Sequence, residues 1–191
     1  MFHRRCRSDM KVTYKETGCK PPAAKLDGAG AVLGQPNDPM IVRVDTREQT
    51  PLNFDSPCIL TTRGTVPVFD YALDGDQESF SIERKSLSDF VQAVVLTQSW
   101  RRELVKIEKA QARLLPVIYV CEFSFDDIGK YDYMQFHSGR VTSQFVFRRV
   151  AELIYTHGVV ILFAGSRQSA SYAVALLLKR RKEALKSEVK T

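Results

Sequence analysis

The chain has 191 residues, enough for one sizeable domain and too few for two domains with a linker. Its 44% hydrophobic and 26% charged content is that of an ordinary globular protein, and no stretch reaches the roughly 18 to 20 uninterrupted apolar residues of a membrane helix. The formal charge of +6 favours a polyanionic partner such as nucleic acid, because each neutralised phosphate releases condensed counterions.

The basic N-terminus is followed by no apolar segment, so no signal peptide is read and an intracellular location is expected: cytoplasm or nucleoid in a bacterial or phage-infected cell, nucleus in a eukaryote. The four cysteines (Cys6, Cys19, Cys58, Cys121) form no C-x-x-C pair and match no zinc framework. Cys121, in an apolar run, reads as a buried hydrophobe. His3, His137 and His157 stand isolated and receive no catalytic role.

Residues 1–38 lack helical or strand periodicity and are rich in Gly, Pro and Ala, the composition of a basic, flexible tail. From Met40 the pattern is regular. Met40 to Val44 reads as a buried strand ending in Asp45. Val66 to Leu73 and Phe80 to Lys85 alternate and read as strands around an Asp74-Gly75-Asp76 turn. Ser86 caps a helix in which Leu87, Phe90, Val91, Val94 and Val95 recur at helical spacing. A second helix, Ser99 to Leu114, turns Trp100, Leu104, Ile107 and Ala110 to one face and ends before Pro116. Val117 to Glu122 is a continuous apolar run, a strand buried on both faces. A helix from Ser143 to Thr156, a strand from Val159 to Phe163 and a helix from Ser169 to Lys186 complete the chain, with Gly158 at the expected C-cap. In the last helix Ala173, Leu176, Leu177 and Ala184 are expected inward, and Lys179, Arg180, Arg181 and Lys182 outward. Alternating strands and helices predict an α/β fold with helices on both faces of one sheet.

Asp45, Asp76, Glu83 and Lys85 fall at the ends of the expected strands. Phosphodiester hydrolysis uses such a set: hard carboxylate oxygens hold Mg²⁺ or Mn²⁺, and a lysine orients or deprotonates the attacking water and balances developing charge. Glu83 and Lys85 are two residues apart on a strand and share a face. An isolated E-x-K is common; an aspartate on the preceding turn that meets it at one metal strengthens the signal.

Gly75-Asp76 followed by Ile82-Glu83-Arg84-Lys85-Ser86-Leu87-Ser88-Asp89 resembles the GD…(V/I)ERKxxxD signature of the XPF-type nuclease domain, a family of the PD-(D/E)XK, restriction-endonuclease-like superfamily. Val44-Asp45-Thr46-Arg47-Glu48 resembles the VDxRE strand end of the same family. The resemblance covers about Met40 to Leu185 and places the nuclease domain at 39–187. It implies a central mixed sheet flanked by helices on both faces, and a metal-dependent endonuclease acting on branched, forked or flapped DNA in repair, recombination or replication. Asp45, Asp76 and Glu83 would be metal ligands, with the Arg84 carbonyl completing the set. Lys85 would position water, Glu48 would stand beside Asp45, and Arg84 and Asp89 would complete the catalytic group. Asp89 is equally an N-capping residue, and the side chains of Arg84 and Arg47 have surface ion pairing as their alternative role.

The pattern is departed from in two ways. The family often has an aromatic residue after the GD aspartate, whereas Gln77 follows Asp76, and Asp74 is a rival acid nearby. No helix-hairpin-helix or helicase segment is recognised, so a stand-alone domain is expected. Arg47, Arg101, Arg102 and Lys106 are candidate DNA-binding residues, and Lys109 extends the same track; a solvated helix face with Glu103 and Glu108 as intrahelical partners is the alternative. Trp100 fits a core anchor better than a base-stacking platform. The resemblance also implies a homodimer through the helices from Ser143 and Ser169, with ordinary core packing of those helices as the equal alternative, or a separate DNA-binding partner. A catalytically silent DNA-binding or dimerisation module of the same family is the rival function.

Overall fold

The computed structural model describes residues 38–136 and 141–188. The expected tail, all but its last residue, and His137 lie outside this range. Along the described chain run β1 (Met40–Asp45), β2 (Ile59–Gly64), β3 (Tyr71–Leu73), β4 (Glu83–Lys85), α1 (Leu87–Val95), α2 (Thr97–Ala112), β5 (Ile118–Cys121), α3 (Phe125–Lys130), α4 (Ser143–Tyr155), β6 (Val160–Phe163) and α5 (Arg167–Glu188).

The strands form two three-stranded sheets, ordered β2-β1-β3 and β4-β5-β6. β1 runs parallel to β2 and antiparallel to β3, and the second sheet is all parallel. One antiparallel bridge between Tyr71 and Ile82 joins them, so β3 and β4 meet at a seam. The seam is narrow because both expected strands fray before reaching it. Pro67 has no amide to give a ladder, and the Val66 amide donates to the Asp45 carboxylate instead of to a strand neighbour (2.7 Å). On the other side, the amides of Ser79 and Phe80 turn back to the Asp76 carbonyl. The two long strands read from alternation therefore shrink to three residues each.

Helices cover both faces. Phe90, Val91 and Val94 of α1, Trp100, Ile107 and Ala110 of α2, Ile128 of α3 and Val146, Val150 and Leu153 of α4 pack with Tyr119 and Cys121 on one face. On the other, α5 alone supplies Ala170, Val174, Ala175 and Leu178 against Met40, Val42, Tyr71, Ile82 and Val120. β5 alternates between these cores, as its unbroken apolar run requires. Trp100 is a core residue, its ring under the Arg149 guanidinium (4.3 Å) and edge-on to His157. Gly158 takes a left-handed φ of 65° and turns the chain from α4 into β6.

In α5 Val174, Ala175 and Leu178 are buried and the expected Ala173, Leu176 and Leu177 pack partly buried against the same core, whereas Ala184, expected inward, is exposed. Its basic stripe is not uniformly solvated. Arg181 makes a two-point ion pair with Asp76 (2.7 and 2.9 Å), and Lys182 and Lys186 reach Asp38. Among the described residues no helix is long and apolar enough to cross a membrane.

Candidate active site

The tight turn after β1 is organised by Asp45, whose carboxylate accepts the Arg47 amide (2.9 Å), the Arg47 guanidinium (2.6 Å) and the Val66 amide (2.7 Å). Burial alone would raise this carboxyl; the Arg47 guanidinium and the two amides hold it below the usual range. Asp45, expected as a metal ligand, thus braces the turn and is not among the residues that line the cleft of Glu83. The turn carries Glu48 inward, where it ion-pairs with Arg84 (3.1 Å) and accepts the Thr50 amide (2.8 Å).

On β4, Glu83 and Lys85 share a face, as their spacing requires, and their side chains touch at 2.9 Å. Lys85 also meets Glu103 of α2 (3.0 Å), whose carboxylate accepts the Tyr119 hydroxyl (2.5 Å). Glu103 is not on the solvated face of its helix. It lies on the inward row with Trp100, Ile107 and Ala110, and that spacing alone could have identified it. Burial would lower the ammonium pKa of Lys85, but Glu83 and Glu103 push it above its ordinary value. Lys85 is thus held as a charged donor between the two carboxylates. Burial would likewise raise Glu83; Lys85 and Lys106 hold it low.

The largest correction concerns the second acid. Asp76 is ion-paired with Arg181 of α5 and lines a separate depression with Asp38, Pro39 and Lys182. Asp74 is paired with Arg43. Neither reaches Glu83. Asp70, on the irregular segment leading to β3, stands there instead, its carboxylate accepting the Arg84 amide (2.9 Å). Its pKa is raised to about 8, first by burial and then by the Glu83 charge beside it. Tyr71 follows Asp70, supplying the aromatic residue whose absence after Asp76 broke the family pattern. That signal pointed to Asp70.

Asp70, Glu83, Arg84, Lys85, Glu48 and Asp89 line one cleft of about 430 Å³, together with Arg47, Gln49 and Thr50. The Asp89 amide donates to the Ser86 hydroxyl (3.2 Å), so Asp89 sits in the capping turn and also at the cleft. The Arg84 side chain is not a surface pair. It is nearly buried between Glu48 and Glu122 (3.1 Å each), and these acids offset the cost of burying the guanidinium. Nothing in the sequence marks Glu122, which follows an apolar strand with no motif of its own.

Next to the cleft, Arg101, Arg102, Val105, Lys106 and Lys109 of α2 form a basic groove with Arg47, Pro67 and Val68. Arg47 borders both cavities, and Lys106 reaches from the groove to ion-pair with Glu83.

Among the described residues no three His, Cys, Asp or Glu side chains gather into a ready-made cation cage. Asp70 and Glu83 are a two-carboxylate arrangement. That fits Mg²⁺ or Mn²⁺, which keep several waters and commonly take one or two protein carboxylates plus substrate phosphate. Two acids pressed together until one resists ionisation are also a site where a dication relieves repulsion.

No family model and no curated protein matches the sequence. Solved structures do match. XPF from Aeropyrum pernix superimposes with a TM-score of 0.55 at 18% identity, over 78% of this chain and 68% of that one. A structure of XPF from Aeropyrum pernix in complex with DNA gives 0.55 at 17% identity, over 76% of this chain and 66% of that one. The chain has the XPF fold. It spans about two thirds of the length of the XPF chains it matches. The mixed sheet with helices on both faces is thus the restriction-endonuclease-like arrangement expected.

Proposed function

We propose that this chain is a divalent-metal-dependent DNA endonuclease of the XPF type, cutting branched, forked or flapped DNA during repair, recombination or replication. The observation that carries the reading is the meeting of Asp70, Glu83 and Lys85 at one cleft beside a basic groove. A structural neighbour in complex with DNA supports the class of partner.

Asp70 and Glu83 would hold Mg²⁺ or Mn²⁺, with the Arg84 carbonyl as a further oxygen. The ion would polarise the phosphoryl oxygen and acidify a water. Lys85, locked in its charged form between Glu83 and Glu103, donates toward the cleft and stabilises negative charge there. Arg84 and Glu48 fix the walls, and Arg47 presents a cation at the junction with the groove.

The test is cleavage of labelled fork, flap, linear duplex and single-stranded DNA with Mn²⁺ or Mg²⁺, mapped at nucleotide resolution. Cutting of branched substrates supports the reading, and preferential cutting of linear DNA moves it to another member of the superfamily. Binding of forks without cleavage in either metal would establish the silent-module alternative, which the Lys106–Glu83 ion pair favours.

Replacing Arg101, Arg102 and Lys109 with alanine is expected to weaken binding of every DNA similarly. The dependence of log K on log salt should flatten by about 0.9 for each phosphate no longer neutralised. An unchanged slope would return these residues to a solvated helix face. Pairing of two copies is the accompanying proposal, supported by the exposed apolar residues Ile154 and Tyr155 at the end of α4 and Val160 and Leu162 of β6. Sedimentation at micromolar concentration should give a dimer, and a monomer alone would remove the idea.

A further inference from the structure

Lys106 sits where two cavities meet. Its stem lines the basic groove with Arg101, Arg102 and Lys109, and its ammonium reaches Glu83 on the wall of the acidic cleft. The ammonium lies 5.5 Å from the centre of the Phe69 ring, one residue before Asp70, and its charge is felt at Asp70 as well as at Glu83. One Glu83 oxygen is taken by Lys85 and the other by Lys106.

The two lysines differ in how they are held. Lys85 is fixed by two buried acids and the Tyr119 ring. Lys106 meets one carboxylate, is 28% exposed and has a flexible stem open to the groove. A phosphate in the groove offers it a second anionic partner, beside the four other cationic side chains Arg47, Arg101, Arg102 and Lys109.

We propose that Lys106 is a two-position gate on the metal site. In the free protein it occupies the cation position at Glu83; a DNA phosphate in the groove draws it away and opens that position for Mg²⁺ or Mn²⁺. The proposal rests on the metal-dependent reading above. It makes metal and DNA cooperative ligands, since each favours the withdrawn lysine and linkage is reciprocal. It also makes Lys106 a positioning residue, without contact to the reacting atoms.

The experiment is Mn²⁺ binding by calorimetry, without turnover, to wild type, Lys106→Met, Lys106→Gln and Glu83→Gln. Each is measured alone and with a duplex carrying non-hydrolysable phosphorothioate linkages. Methionine keeps the apolar stem over Phe69, and two different neutral residues guard against a packing artefact. In the absence of DNA, both Lys106 variants should bind Mn²⁺ about tenfold tighter than wild type, the scale of one partly shielded ion pair removed. DNA should tighten Mn²⁺ binding to wild type by about tenfold more than it tightens binding to the variants, in which the phosphate ligand alone contributes. Equal Mn²⁺ affinity in wild type and both variants, with Glu83→Gln weakened, overturns the gate and leaves the metal reading standing. Absence of Mn²⁺ binding in every protein, with and without DNA, overturns both.

Discussion

Asp70→Asn is expected to lower cleavage about 10³-fold, the equivalent of several kcal/mol of charge stabilisation, while Asp76→Asn lowers it by less than about threefold. Asp70 shares the cleft with Glu83 and Lys85, whereas Asp76 anchors Arg181 of α5. The pair separates what the structure places at the site from what the Gly75-Asp76 motif promised. Loss of cleavage in Asp76→Asn with retention in Asp70→Asn would reverse the assignment. The two variants should also diverge in stability. Removing the partly shielded Asp76–Arg181 pair costs about 1 kcal/mol, or roughly 2 to 4 °C in melting temperature.

Asp70→Asn should instead raise the melting temperature of metal-free protein at alkaline pH. Asp70 is raised in the fold, first by burial and then by Glu83, so it binds its proton more tightly folded than unfolded. Its contribution is complete below the ordinary aspartate pKa and is lost as pH climbs toward about 8. An asparagine carries no such penalty and still offers an oxygen to the Arg84 amide. Melting curves from pH 5 to 9 in a chelator read this directly. If wild type and Asp70→Asn run parallel across that range, the carboxylate carries no ionisation penalty in the fold.

Lys85→Met is the second large effect. The substitution leaves Glu83 and Glu103 buried with one cation fewer, and removing one partner of such a cluster costs about 3 to 5 kcal/mol. The melting temperature should fall by roughly 10 °C and cleavage should disappear with it. Stability and activity are separable through Glu103. Lys85→Met combined with Glu103→Gln removes an uncompensated charge and should regain much of the melting temperature, while cleavage remains abolished. Lys85→Met melting like wild type would mean that the buried acids do not need its charge. The lysine is raised above its ordinary value, so this contribution is fully present at neutral pH and fades only under strongly alkaline conditions.

The legible parts of this chain are those written in local periodicity. α1, α2 and β5 follow from apolar spacing, and the Glu83–Lys85 face follows from the two-residue repeat of a strand. β2 escapes such a reading because it is an edge strand with most of its residues outside the core, leaving no alternation to find. α3 is six residues long, too short for helical periodicity; the Ser124–Asp127 capping box is its only mark. The misplaced aspartate has a different origin. The motif invites reading the Asp closest to Glu83 along the chain, but the 74–76 turn points away from the sheet end. Position in space is set by where the Pro67-interrupted segment crosses β4, and that crossing is a tertiary event.

The single Tyr71–Ile82 bridge gives the domain a line of weakness through its middle. Few backbone hydrogen bonds stitch the two half-sheets there, and the Asp70 carboxylate adds one more by taking the Arg84 amide as a ladder carbonyl would. The halves are splinted from behind. α5 lies across both, with Arg167 tied to the Thr50 and Pro51 carbonyls and to Glu122 at one end, and Arg181 and Lys182 tied to Asp76 and Asp38 at the other. The two half-sheets are therefore held together less by ladder hydrogen bonds at the seam than by the side-chain ties of α5 behind it, as a spine holds a book. Asp76, displaced from the chemistry, is one of the stitches in that spine.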